Sequence, residues 1–421
     1  MPDTIAPSAA RKYLIVLGGV ILGGTLTLMT LLWLIDPFAI YRPPVLAAFN
    51  AVKPAEVVKL LGRRFKPSDI AREKPQNLIL GTSRAERGFD MDDPLLGAGW
   101  YNASLNEGTP YEALRLLQHA NAISPVHHVV LLINLKEYSD SDLRKRSDFP
   151  DDRLAVDAAG RVQHFAGLVT CEDALLGWTA LEWGWRTALD NNYPNSEPAL
   201  PIDAIYHHGG LTEQGWKASQ TFTGHRQMFH WIETAGIMPF YQGMSRDPRR
   251  ILDSPGWHAF TNLLAFCHDH GIDIDVAFAP EHVRALYLIR ATGLWPDFEA
   301  WKAAVADALR TGPPPWSLWD FSMVPEITEA VPPLDDNNES MRYWRDTLHF
   351  RPLLGHRILA AVLDHQPGWG HAITADDDLA AWQRTVSADL DVWVATHPTE
   401  AAEVDQEAKG SQLDVKNAAK F

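Results

Sequence analysis

The sequence predicts an α/β domain built on a largely parallel sheet and tethered to a membrane by one N-terminal helix. Three observations predict it. Short, unbroken apolar runs occur at Asn77–Leu80, Val129–Ile133 and Asp275–Ala279; segments of helical periodicity separate them; and Tyr13–Ile35 carries no charge. Strands covered on both faces by crossover helices read as continuous apolar runs, unlike half-exposed strands, which alternate.

Taking the elements in order, Tyr13–Ile35 as a helix rises about 35 Å, enough to cross a hydrocarbon core of about 30 Å. Arg11 and Lys12 precede it and Asp36 follows, which predicts a cytoplasmic N-terminus and a globular part outside, periplasmic or extracellular. The run is longer than the apolar segment of a cleaved signal, so a retained single-pass anchor in the inner (plasma) membrane is expected. Residues 36–73 read as a juxtamembrane connector with a helix over Pro54–Phe65. A short strand at Asn77–Leu80 enters Gly81-Thr82-Ser83-Arg84. Helices are expected at Thr109–Ala122, Phe298–Leu309 and Leu353–Leu363, and a short last strand at Trp316–Phe321. Residues 140–260, rich in Trp and His, break the strand–helix rhythm and read as a helical insertion or cap. The domain as a whole spans 74–397, and the polar residues 398–421 read as a frayed tail.

Composition narrows the function. Apolar residues make up 46% and charged residues 21%, ordinary chemistry for a chain that buries a core. The net charge of −16 argues against nucleic acid and against an anionic membrane face as the main partner. No phosphate-cradling glycine loop or dinucleotide fingerprint is present, and no cofactor is expected. Seventeen histidines invite a metal, but His127-His128, His207-His208 and His268-Asp269-His270 lack metal-site spacing, so none is assigned. The two cysteines, Cys171 and Cys267, fit either a single disulfide or two buried thiols.

Two segments carry chemistry. In Leu78-Ile79-Leu80-Gly81-Thr82-Ser83-Arg84 a strand runs into a tight turn bearing a serine, and the carboxyl edge of a parallel sheet is where ligands bind. Amides of a following helix are expected near that serine, where they would stabilise developing negative charge. In Asp346-Thr347-Leu348-His349-Phe350 a carboxylate three residues from an imidazole can orient it on one turn. The imidazole can then take the serine's proton, which a weak nucleophile needs at neutral pH. Ser83, Asp346 and His349 are the candidate catalytic residues.

The order Ser…Asp-x-x-His resembles the SGNH (GDSL-type) hydrolase superfamily over roughly residues 75–365. Further phrases resemble a bacterial membrane-anchored branch of it: GTSRAERGFD (81–90), YNASLNEGTPYEA (101–113), WPDFEAWK (295–302), LWDFS (318–322) and YWRDTLHFRPLLGHRIL (343–359). At fold level that branch is similar to the alginate acetylation and D-alanyl transfer proteins of bacterial envelopes. The resemblance implies a three-layer α/β/α sandwich and a serine esterase or O-acyltransferase acting on an envelope glycan or lipid. It also implies an oxyanion-hole glycine and asparagine; Gly108 and Asn134 are the candidates, with Asn106 a third. The serine motif departs from the family, Gly-Thr-Ser-Arg standing for Gly-Asp-Ser, so a catalytically inactive protein that binds or scaffolds polysaccharide assembly is the alternative. Arg84 and Arg351, next to Ser83 and His349, have two readings. They bind an anionic substrate group, or they are structural, Arg84 pairing with Asp90 or Glu86. The tryptophans of the insertion fit a sugar platform or the core of the cap.

Overall fold

A computed structural model of the chain describes residues 7–410, apart from 55–56, 139–144, 194–198, 220–223, 245, 313–315, 325–340, 366–368 and 375. It is a mixed α/β fold, mostly helical, around one six-stranded sheet. The strands are β1 (Asn77–Leu80), β2 (Trp100–Asn102), β3 (His128–Ile133), β4 (Asp273–Phe278), β5 (Trp316–Asp320) and β6 (His371–Ala372). Their spatial order is β6-β5-β4-β3-β1-β2; all neighbours run parallel except β6, which pairs antiparallel with β5. The chain leaves β1 toward β2 on one side and returns to β3 on the other. Diverging connections of this kind open a crevice at the carboxyl ends of β1 and β3.

Alternate strand residues enter two different cores, as a period of two requires. Leu78, Leu80, Val129, Leu131, Ile274, Val276 and Leu318 pack with α4 (Pro110–Ile123), α7 (Pro255–His270), α8 (Val283–Ala291) and α9 (Trp295–Thr311). Ile79, Val130, Leu132, Ala277 and Trp319 pack with α3 (Ser83–Gly88) and α10 (Pro352–Asp364). Burial on both faces is why the central strands read as unbroken apolar runs.

The N-terminal helix α1 (Pro7–Ile35) contains the span Ala10–Ile35, long and apolar enough to cross a membrane. Its end is held tightly. Lys53 Nζ donates to the carbonyls of Ile35 (2.8 Å) and Asp36 (2.6 Å), and Asn50 Nδ2 to that of Leu34 (2.8 Å), satisfying acceptors a helix end leaves open. Residues 36–73 are therefore no loose connector. Phe38 and Ile40 are buried beside Leu32, and α2 runs over Val58–Glu73, later than expected, closed by Lys74 in the left-handed region. Pro54 instead sits in a two-residue antiparallel ladder with Ala199.

The insertion between β3 and β4 is helical. It holds α5 (Ala166–Leu175), α6 (Trp178–Asn192), a short helix Glu213–Ala218, and a run His225–Gly243 with a π-helical turn at Ile232–Ile237. At the C-terminus the tail expectation is corrected for its first half. After α11 (Leu379–Thr396), α12 (Pro398–Gly410) is an ordered helix with Ala401 and Val404 buried against α8. Residues 411–421 lie outside the described residues. Cys171 and Cys267 are both free, in separate clusters, and burial pushes the Cys267 thiol up to about 12.

Candidate active site

Gly81 makes the serine turn. Its φ of +154° favours glycine, and a Cβ there would meet the Leu132 carbonyl at 2.8 Å. Thr82 caps α3, whose first residue is Ser83. The other half of the site is a tight hairpin rather than a helix. Arg345 N–H donates to His349 O (2.8 Å), Arg351 N–H donates to Tyr343 O (2.8 Å), and Trp344 bridges Phe350. Within this turn Asp346 Oδ1 accepts the backbone N–H groups of Leu348 (2.8 Å) and His349 (3.0 Å), which fixes the carboxylate before it meets the imidazole.

The two halves join at α3. Ser83 Oγ lies 2.8 Å from His349 Nε2, and His349 Nδ1 lies 2.7 Å from Asp346 Oδ2. The carboxylate accepts a hydrogen bond from the Nδ1–H, which leaves the Nε2 lone pair facing the hydroxyl; this tautomer follows from the hydrogen-bond network. Asp346 and His349 are buried and Ser83 is half-buried. Burial alone would raise the Asp346 carboxyl, but His349 and the two backbone N–H groups outweigh it and hold it below the usual carboxylate range. Burial lowers the His349 imidazole below its ordinary value; Asp346 opposes this, and the charges of Arg87 and Arg84 reinforce it. His349 is thus neutral at pH 7, the state a general base requires.

Four other candidate site residues are placed as follows. Arg84 does not face the crevice: it is buried, and its Nη1 pairs with Glu281 Oε1 at 2.7 Å rather than with Asp90 or Glu86. Glu86 pairs instead with buried Lys66 (3.0 Å). Arg351 donates to the Met341 carbonyl (2.8 Å) and approaches Glu213 (3.4 Å), so it braces the hairpin. The N–H of Gly108 donates to Leu105 O (2.9 Å) and is not available to an oxyanion. Asn134 stands at the same sheet edge as Ser83, each three residues beyond the paired Leu131 and Leu80. Its side chain bonds Glu137, whose carboxyl burial pushes up to about 8. For Arg84 and Arg351 the cause is the same: sequence adjacency to a motif does not say which way a side chain leaves the backbone.

The structure brings in residues that the motif reading did not assign. Arg87, one turn beyond Ser83, reaches His349 Nε2 with Nη1 (3.2 Å) and donates from Nη2 to Asn106 Oδ1 (2.7 Å). The spacing i, i+4 places residues on one helix face, so Ser83 and Arg87 could have been linked from the sequence. Asn106, the third oxyanion-hole candidate of the sequence, is thereby brought to the site. Trp216, from the insertion, lies 5.9 Å from His349 between centroids. The guanidinium groups of Arg87 (4.9 Å) and Arg345 (5.0 Å) stand over its ring. Arg345 also pairs with Glu213 (2.7 Å). No local signal marks Trp216, because 133 residues separate it from Ser83 (216 − 83) and 133 from His349 (349 − 216). No protein-family model matches the chain, and no curated protein or solved structure is significantly similar to it.

Proposed function

We propose that the chain is a membrane-anchored, extracytoplasmic serine esterase or O-acyltransferase of the SGNH kind, acting on a cell-envelope glycan or lipid. The observation that carries this reading is the continuous Ser83–His349–Asp346 relay, with links of 2.8 and 2.7 Å. In this reading the two helical coverings of the sheet are the outer layers of a three-layer sandwich, and α1 is a retained anchor.

Ser83 Oγ attacks the ester carbonyl as its proton passes to His349 Nε2. The ester C–O bond breaks, His349 returns the proton to the departing alkoxide, and an acyl-Ser83 intermediate remains. Water or a sugar hydroxyl then attacks as its proton passes to His349, the acyl–Oγ bond breaks, His349 returns the proton to Ser83 Oγ, and the acyl group leaves on the new acceptor. The developing oxyanion needs donors. Those we assign are the Ser83 N–H and Asn106 Nδ2, the latter turned from Arg87 by the bond that its Oδ1 accepts.

The test is turnover of a chromogenic acetyl ester by the full chain and by Ser83→Ala. Turnover lost in the variant supports the reading; equal turnover in both removes Ser83 from the chemistry. One observation favours a second reading, an inactive glycan-binding protein: Arg87 Nη1 shares His349 Nε2 with Ser83 and so competes for its lone pair. Under that reading the ester is untouched by either form.

A further inference from the structure

The arginines around the site differ in one respect. Arg84 has Glu281, and Arg345 and Arg351 share Glu213. Among the described residues no carboxylate pairs with Arg87. Its Nη groups meet only neutral partners, the His349 ring and the Asn106 amide, and its Nε is buried without a hydrogen-bond partner. The guanidinium also stands over the Trp216 ring, 4.9 Å from its centroid. A half-buried guanidinium left without a counter-ion, 3.2 Å from the base, is a charge waiting for one. Arginine's planar fork fits a carboxylate or a phosphate.

We propose that Arg87 is an anion-binding residue, and that the site takes esters carrying a carboxylate or phosphate close to the scissile bond. This rests on the esterase reading above. An anion on Arg87 would draw Nη1 away from His349 Nε2, leaving that lone pair to Ser83, so anion recognition and activation of the base are one event.

The test compares 3-acetoxybenzoate with its uncharged methyl ester, using the full chain. The expected kcat/KM favours the anion by about 10- to 100-fold, the worth of one charge-assisted hydrogen-bonded pair. In Arg87→Gln the ratio falls to within about threefold of one, chiefly through KM, and Arg87→Lys keeps part of it. A wild type without preference, or a preference that survives Arg87→Gln, overturns the proposal. If neither ester turns over, the esterase reading fails separately, and titration with 3-hydroxybenzoate and with inorganic phosphate decides. Saturable binding lost in Arg87→Gln sustains the anion site and shows which anion it prefers; no binding of either overturns it.

A second inference stands on different residues. The helices α5 and α6 pack on the last turns of α1, with Leu28, Met29 and Leu32 against Ala174, Leu175, Ala180 and Trp183. A Cβ on Gly184 would meet Leu32 at 2.6 Å, so the approach is close. Residues 28–35 are the final ~12 Å of the helix, which takes in a headgroup layer of about 5–8 Å and the edge of the hydrocarbon core. Around that contact stand large exposed apolar side chains: Phe165 (71% exposed), Leu168 (66%), Trp178 (81%) and Trp185 (68%). Trp178 and Trp185, seven apart, share one face of α6. Aromatic side chains beside a membrane helix are interfacial anchors. We infer that α5 and α6 lie on the outer surface of the bilayer, continuous with α1, and hold the domain at the lipid surface.

Nitroxide labels at Trp178→Cys and Trp185→Cys, in a Cys171→Ala, Cys267→Ala background, are measured with the full chain in vesicles. Labels at Leu22→Cys in α1 and at exposed Val392→Cys on α11 serve as references. Positions 178 and 185 are expected to favour oxygen over a water-soluble nickel relaxant, as position 22 does and 392 does not. Labels at 178 and 185 as wet as 392, with 22 in lipid, overturn the inference; a wet position 22 overturns the anchor reading with it.

Discussion

Asp346 and His349 act as a unit because both lie in one hairpin turn, and a turn is local enough to be read from four consecutive residues. Asp346 spends Oδ1 on two backbone N–H groups and has only Oδ2 left for the imidazole, so its geometry leaves one productive tautomer. Asp346→Asn should therefore lower ester kcat/KM by something on the order of 10³–10⁴-fold while the protein stays folded, as paired activity and circular dichroism measurements will show. The pH dependence has a definite sign. The base works when neutral, and burial holds His349 below its ordinary value of 6.5. Activity should fall as pH drops through a value below 6.5 and be on its plateau at pH 7. In Arg87→Gln, which removes a neighbouring positive charge, the acid limb should move upward. A kcat/KM–pH profile of both proteins checks each point. The partner of this pair, Ser83, was legible as a strand-end serine. Arg84 and Arg351 kept two readings in the sequence because their ion-pair partners, Glu281 and Glu213, are remote from them along the chain.

At the scale of elements, the relay depends on how closely α3 approaches the hairpin and α10. Two glycines permit it. A Cβ on Gly88 would sit 2.1 Å from the Phe350 ring, and one on Gly355 would sit 2.1 Å from the Gly88 carbonyl. Gly88→Ala should cost about 1–3 kcal/mol by overpacking and should lower kcat/KM too, because the shift falls between Ser83 and His349. Adding Phe350→Leu should recover part of both losses, since neighbouring substitutions that share one space are not additive. Thermal melts and ester kinetics on the two single variants and the double variant test this. The central strands were legible because sheet faces buried on both sides leave unbroken apolar runs. The strands β2 and β6, three and two residues long, are too short to show a period. The insertion was legible only as helical, and the placement of Trp216 over His349 follows from tertiary packing that no local pattern encodes.

Over the whole molecule, the last turns of α1 and the helix α12 are both packed into the fold, and composition misleads about α12. The polar sequence of α12 packs one narrow apolar strip, Ala401, Val404 and the partly buried Ala408, and polar contacts flank it. Arg284, also paired with Glu233, reaches Glu403 (3.2 Å) and Glu407 (3.3 Å), and Tyr287 bonds Asp405 (3.0 Å). A helix held this way looks like a tail when hydropathy is the only guide. Truncation after residue 397 should destabilise the protein by about 2–4 kcal/mol, from the lost apolar burial and the lost contacts of Glu403, Glu407 and Asp405. Denaturant unfolding of full-length and truncated chains measures it. A frayed tail would leave the midpoint unmoved. At the other end, Lys53 and Asn50 fasten the last carbonyls of α1, so the end of that helix is held to the segment that follows it.

The measurement that tests the central claim most directly is labelling of the full chain with a fluorophosphonate, read by mass spectrometry. A serine activated by the His349–Asp346 pair should carry the label at Ser83 in the wild type and lose it in His349→Ala. Absence of label at Ser83 in the wild type, or equal labelling in both proteins, would contradict it.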